Sequence, residues 1–197
     1  TEISPVERGA HLRFSFPKGK SAFIVLDGYT GMSGVNIIPG ENKITGYVHN
    51  GRGLQKNFKS YFVIEFDRPI RSFGIWNNQT GQRLPGKTDA EGKGMGAWVE
   101  FDRGAKVQVK TASSYISPEQ AELNLKNELG QFASLEDTKE VAWKIWNDHL
   151  SRIFVEGGSE ADKATFYSCY FRASLFSRKF YEIDRNGNPY YFSPYDG

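Results

Sequence analysis

Cysteine is almost missing from this chain. Cys169 stands alone among 197 residues, so no intrachain disulfide exists, and neither a disulfide-stapled scaffold nor a cysteine-ligated zinc centre has the residues it needs. Only three histidines are present, with no His-Glu-x-x-His pattern, which removes the other common zinc signature. An excess of one charge is lacking too. The 25 Lys and Arg face 23 Asp and Glu for a net charge of +2, too balanced to point to nucleic acid or an anionic membrane as partner. No apolar run approaches the roughly 20 residues a spanning helix requires, and Thr1 opens no signal-peptide pattern. Aromatic residues, in contrast, make up 15% of the chain, enough for a sizeable core and an argument against disorder.

The pattern changes once, near residue 116. Before it the apolar period is two. Leu12, Phe14 and Phe16 alternate with His11, Arg13 and Ser15, predicting a half-buried strand. Pro17-Lys18-Gly19 then turns the chain into the apolar run Ala22–Leu26, read as a central strand. Val35–Ile38 and Lys43–Val48 flank Pro39-Gly40 as a second hairpin. Asp67-Arg68-Pro69 separates Tyr61–Phe66 from Arg71–Trp76, and Asp102-Arg103-Gly104 separates Ala97–Phe101 from Lys106–Val109. Short strands at this spacing predict an antiparallel sandwich.

Beyond residue 116 the period is helical. Ser117-Pro118-Glu119-Gln120 places a serine N-cap, a proline at the first helical position and a glutamine at the third. Ala121, Leu125 and Leu129 stack on one face before Gly130 ends the helix. A second helix starts at Ser134 with Asp137 three residues on, and carries Ala142, Ile145, Trp146, His149, Leu150 and Ile153 as one stripe. After Gly157-Gly158, Ser159 and Asp162 cap a third. That helix is aromatic around much of its circumference, so it needs neighbours on most faces. Cys169 within it reads as a small buried hydrophobe. Arg172, Arg178 and Lys179 follow late in it, where cations complement a helix dipole.

The segments ASSYISPEQA (112–121), AWKIWNDHLSRI (142–153) and VEGGSEADKATFYSCYFRASLF (155–176) resemble glycoside hydrolase family 92, as does FSFPKGKSAFIVLD (14–27). The resemblance implies calcium-dependent, inverting exo-α-mannosidases of the kind found in gut Bacteroidetes, acting on terminal, α-1,2-type mannose of glycans. It implies an N-terminal β-sandwich, a helical linker and an (α/α)6 barrel. On that plan residues 1–116 are sandwich, 117–157 linker helices and 158–197 the start of the helical catalytic domain. Earlier sandwich strands are then expected before Thr1. The general acid, the general base and the calcium ligands are expected after Gly197, so no catalytic or metal residue is assigned in this chain. Its partners are mannose-containing glycans and the remainder of its own helical domain. Its implied location is the periplasm or surface of a Gram-negative bacterium.

The substrate-contact candidates are four. Asp196 and Tyr195, in Ser193-Pro194-Tyr195-Asp196-Gly197, fall where the family chain nears its sugar pocket, although Asp-Gly after a proline is more often a plain turn. Trp76 and Trp98 lie on predicted strands and have the flat faces that stack on sugar rings. Tryptophans on such strands are more often buried core residues, since large aromatics dominate sandwich cores, and that is the reading expected here. His149 reads as a packing residue rather than a metal ligand. Gly92-Lys93-Gly94-Met95-Gly96 precedes a strand, not a helix, so it reads as a loop or bulge and not a phosphate cradle. Three readings follow: a non-catalytic portion of a mannosidase, a carbohydrate-binding sandwich, or a structural module that docks protein. They differ in whether Trp76 and Trp98 are exposed and whether an apolar patch surrounds Phe166, Tyr170 and Phe171.

Overall fold

The alternating segments do form strands, and the capped segments form helices. The structure, a computed structural model, describes the chain except for residues 29, 50, 52, 53, 176–178 and 196–197. The strands are β1 (Glu2–Pro5), β2 (Gly9–Ser15), β3 (Ala22–Leu26), β4 (Met32–Ile38), β5 (Lys43–His49), β6 (Ser60–Phe66), β7 (Ser72–Asn77), β8 (Arg83–Pro85), β9 (Asp89–Lys93), β10 (Met95–Phe101) and β11 (Lys106–Ser114). The helices α1 (Pro118–Leu129), α2 (Leu135–Leu150) and α3 (Glu160–Ser174) follow, then a short hairpin, β12 (Glu182–Ile183) and β13 (Pro189–Tyr190). Arg178 and the last residues expected of α3 lie outside the described residues or beyond its end at Ser174.

Two antiparallel sheets face each other. One has the order β1-β2-β11-β6-β5-β4-β9 and the other β3-β10-β7-β8. Between them Val35, Ile37, Ile44, Phe66, Val107 and Val109 from the larger sheet meet Ala22, Ile75, Ala97, Val99 and Phe101 from the smaller. Burying a side chain of this size is worth about 1.5–3 kcal/mol, so this layer holds the sandwich together.

Topology departs from the local reading in one consistent way. The turns after β2, β6 and β10 do not close hairpins, because each carries the chain from one sheet to the other. The pair β4–β5 is a true hairpin. There Pro39–Glu41 makes one 3-10 turn and Asn42 takes the left-handed conformation at φ 51°. Gly94, at φ 67°, similarly switches the chain from β9 in the larger sheet to β10 in the smaller. The run Ala22–Leu26 is not a central strand. It is the end strand of the smaller sheet, and alternate residues Phe23 (45% exposed) and Val25 (57%) face away from the core.

The outer face of the larger sheet carries the helices. Val63 and Ala112 pack against Ala121, Leu125 and Leu129 of α1. His11 and Arg13, the polar half of an apparently half-buried strand, lie under α2. His11 Nδ1 sits 2.9 Å from Thr138 Oγ1, and Arg13 forms ion pairs with Glu2 and Glu136. The polar face of β2 is therefore covered at His11 and Arg13, while Ser15 at the end of the strand stays exposed.

The caps at Ser134 and Ser159 are reciprocal boxes with Asp137 and Asp162. At Ser117 only half of the box forms. The Ser117 hydroxyl accepts from the Gln120 amide N–H, while the Gln120 side chain is drawn into the interior. Gly130 closes α1 in right-handed geometry rather than the left-handed cap that glycine permits.

Packing runs out along the later helices. Only Leu135 and Thr138 of α2 are buried, and no residue of α3 is. The predicted stripe is largely open, with Ile145 62% exposed. Cys169 is likewise exposed, not buried; the Arg172 guanidinium, one turn on in the same helix, lies 3.7 Å from its sulfur.

Candidate functional site

Two hollows bear on function. The first lies where the sandwich meets the helices and the C-terminal hairpin. It has a volume of about 650 Å³ and is walled by Glu7, Arg8, Tyr115, Lys179, Phe180 and Glu182, among others. Through Glu182 it adjoins a buried polar network. Glu182 is 2% exposed, and its two carboxylate oxygens accept from the Tyr115 backbone N–H at 2.8 Å and from Asn124 Nδ2 at 2.7 Å. Asn124 also donates to the Ser113 carbonyl. Gln120 Nε2 donates to Asn124 Oδ1 and to the Ile183 carbonyl, while its Oε1 accepts the Tyr190 hydroxyl. Strand β11, helix α1 and the β12–β13 hairpin are thus joined through four side chains, those of Glu182, Asn124, Gln120 and Tyr190.

The rim is charged. The Arg8 guanidinium donates to the Lys179 carbonyl at 3.1 Å and to the Tyr181 carbonyl, and Glu7 pairs with Lys179 at 3.1 Å. That hydrogen bond raises the Lys179 ammonium above its ordinary pKa. Glu128 accepts the Arg8 backbone N–H at 2.7 Å, and burial pushes its carboxyl upward. An inverting glycosidase needs one carboxyl group ready to protonate the leaving oxygen and another to activate water, about 6.5–9.5 Å apart. Here Glu182 and Glu128 already accept from backbone or amide N–H donors, and Glu7 faces a lysine.

Tyr195 does not line this hollow. Its backbone carbonyl accepts from Gln55 Nε2 at 2.7 Å, the Pro194 carbonyl accepts from the Gln55 N–H, and its side chain is 74% exposed. A run of aromatic contacts reaches the wall from Phe192 instead: Phe192 meets Phe58, Phe58 stacks on Tyr115 at 5.1 Å, and Tyr115 stacks on Phe180. Asp196 lies outside the described residues.

The second hollow, about 570 Å³, brings Trp76 and Trp98 together with Phe23, Val25, Arg83 and Pro85 on the outer face of the smaller sheet. The expected core placement of these tryptophans does not hold: both indoles are half-buried and outside the core between the sheets, because alternation along β7 and β10 gives the inner face to Ile75, Ala97 and Val99. His149, on α2, contacts Ser174 Oγ at 2.8 Å and stacks on Tyr170, a packing role. Among the described residues no three His, Cys, Asp or Glu side chains converge as a metal site.

Sequence reasoning missed the Glu182 network entirely. Its members are separated by as many as 70 positions and fit no local motif, so no signal short of the fold would have found them.

Comparison with known proteins bears on this geometry. No curated protein matches the chain. Among solved structures, the inverting mannosidase of family GH92 from Bacteroides thetaiotaomicron is 39% identical over 99% of this chain, with a TM-score of 0.93. A GH92 α-mannosidase of the same organism is 22% identical over 97% of the chain with a TM-score of 0.79, a likeness of fold alone, and has also been solved with mannoimidazole. The chain spans about a quarter of the length of these proteins, 26% and 28%. Residues 1–114 match the glycosyl hydrolase family 92 N-terminal domain, and residues 120–196 match that family's catalytic domain. A two-sheet sandwich passing directly into capped helices, with both family domains matched in that order, makes this chain a member of glycosyl hydrolase family 92.

Proposed function

We propose that this chain is the non-catalytic portion of an α-mannosidase that removes terminal α-linked mannose, of α-1,2 type, from glycans with inversion at the anomeric carbon. The observation carrying this reading is the 39% identity, over 99% of the chain, to an inverting mannosidase of the same family. The state of the local carboxylates supports the non-catalytic part. Both Glu182 carboxylate oxygens and one oxygen of Glu128 serve as acceptors for N–H groups of the fold, which gives these side chains a structural part. The general acid and base then come from the larger part of the protein that its relatives possess and this chain does not span.

Calcium belongs to the same proposal and to the same larger part. It asks for six to eight oxygen ligands, and the described residues here do not fit one, so no step is derived through it. The role of this chain is to build and brace. The sandwich buttresses the helical domain, and the apolar sides of α2 and α3, with Trp143 70% and Phe154 80% exposed nearby, are where the rest of that domain packs. Such an enzyme belongs in the periplasm or at the surface of a Gram-negative cell.

The test is mannose release from α-linked mannobiose, with calcium, by this polypeptide and by one extended to the length of its relatives. Release by the extended protein alone is expected. Release by the 197-residue chain, abolished by replacing one of its own carboxylates, would overturn the proposal.

A further inference from the structure

Two tryptophans on the smaller sheet are each placed opposite a glycine. In the pairing of β7 with β10, Trp76 faces Gly96 and Trp98 faces Gly74. The vacancy left by each glycine is filled by the indole across from it. A Cβ on Gly96 would lie 2.5 Å from Trp76 Nε1, and one on Gly74 would lie 2.9 Å from the Trp98 ring. Each indole is therefore pressed close over the backbone of the neighbouring strand. Trp76 is also fixed by its Nε1–H, which donates to the Leu26 carbonyl at 2.9 Å.

Cross-strand register extends this surface. Val25, Trp98, Gly74 and Pro85 form one row across four strands, and Gly96, Trp76 and Arg83 form the next. Phe23 stands edge-on to Trp98 with ring centroids 6.0 Å apart, closing one side. The hollow they enclose falls within the roughly 300–1,000 Å³ of small-ligand sites. Two polar groups there lack partners among the described residues. The exposed Arg83 guanidinium forms no hydrogen bond or ion pair, and Trp98 Nε1–H is shut from solvent without an acceptor.

We propose that this face binds a pyranose ring of a mannose-containing glycan, as a sugar-contact surface of the sandwich itself. The choice of mannose rests on the functional reading above; the choice of a sugar rests on the surface. A pyranose has an apolar side of C–H groups that suits a flat indole, and a rim of hydroxyls that accept from the exposed Arg83 guanidinium. A protein segment laid over the same hollow is the competing occupant, and the experiment below separates the two.

The experiment follows the indole N–H signals of the 15N-labelled chain by NMR while methyl α-D-mannopyranoside, and separately yeast mannan, is added. The signals of Trp76 and Trp98 should move, while those of Trp143 and Trp146 on α2 stay in place. Arg83→Ala should weaken binding at least about threefold, and Trp98→Ala should abolish the Trp76 shift with the other indole signals retained as a check on folding. Static Trp76 and Trp98 signals, or affinity unchanged in Arg83→Ala, would overturn the proposal. So would sugar-insensitive Trp76 and Trp98 signals in the extended polypeptide, which would mean that protein covers the face. Movement with a glucoside or galactoside but not a mannoside would keep the sugar surface and sink the mannose assignment. None of these outcomes depends on hydrolysis, so failure of the mannosidase reading is seen separately.

Discussion

Asn124 and Glu182 lie 58 residues apart in the chain and meet across 2.7 Å, the amide 5% and the carboxylate 2% exposed. One comes from the helix that follows the sandwich and the other from the hairpin after α3. Their bond, with Gln120 and Tyr115 beside it, fastens the end of the chain to the sandwich.

Glu182→Ala should cost about 2–3 kcal/mol, because it leaves the Tyr115 N–H and Asn124 Nδ2 without acceptors in a buried setting. Urea unfolding followed by tryptophan fluorescence checks the magnitude. Limited trypsin digestion should show faster cleavage at Arg185, in the turn of the released hairpin. A variant with an unchanged urea midpoint and digestion pattern would show that the network does not hold the hairpin.

Two pH steps are expected in stability. Burial first, then the Lys110 charge, pulls His11 below its ordinary 6.5. Above that value both folded and unfolded chains carry the neutral ring. Below it the unfolded chain takes up a proton that the folded one resists, so stability falls as pH drops from about 6.5 through the folded value. Glu2 is held at about 2 by hydrogen bonds from Arg13 and Lys139. Its contribution is present above 4.5 and fades as pH falls from there through about 2. Thermal unfolding of His11→Gln should flatten the upper step and leave the lower one. A variant curve parallel to the parent between pH 7 and pH 5 would exclude His11 as its cause.

Gly96→Ala should destabilise by about 1–3 kcal/mol. The added Cβ would meet the Leu26 carbonyl oxygen at 2.3 Å and Trp76 Nε1 at 2.5 Å, so both the strand pair and the indole must move. Calorimetry gives the loss, and the Trp76 indole N–H signal should shift. Gly40→Ala, at a position with nothing within 4 Å of the new carbon, serves as the neutral comparison.

Helix α3 should open far more readily than the sandwich. It has no buried residue, and its ties to α2 are ring contacts such as Trp146–Phe171 at 4.5 Å and the His149–Ser174 hydrogen bond at 2.8 Å, with the Tyr167 hydroxyl donating to the Ile153 carbonyl just past α2. Hydrogen exchange is expected to show its amides unprotected at times when those of β10 and β11 remain protected. In the extended polypeptide the same amides should become protected, since the rest of the helical domain would then cover them.

The neighbours of each residue decided most of what could be foreseen. The alternation of Leu12, Phe14 and Phe16, the turn residues at 39–40, and the three serine caps act over a few positions, and their outcome is set by backbone geometry and local hydrogen bonding. These features, with the family-like segments, were enough for a sandwich followed by helices and for the family itself. What lay beyond local rules was the choice of partner. Whether Asp67-Arg68-Pro69 closes a hairpin or crosses between sheets depends on which strand pairs with β6, and β11, more than 40 residues away, takes that place. Whether His11 faces water depends on a helix 127 residues later. The Trp76–Gly96 and Trp98–Gly74 pairs and the Glu182 network have the same origin: side chains distant in sequence share one volume only after the sheets have twisted and packed, so tertiary structure alone could bring them together.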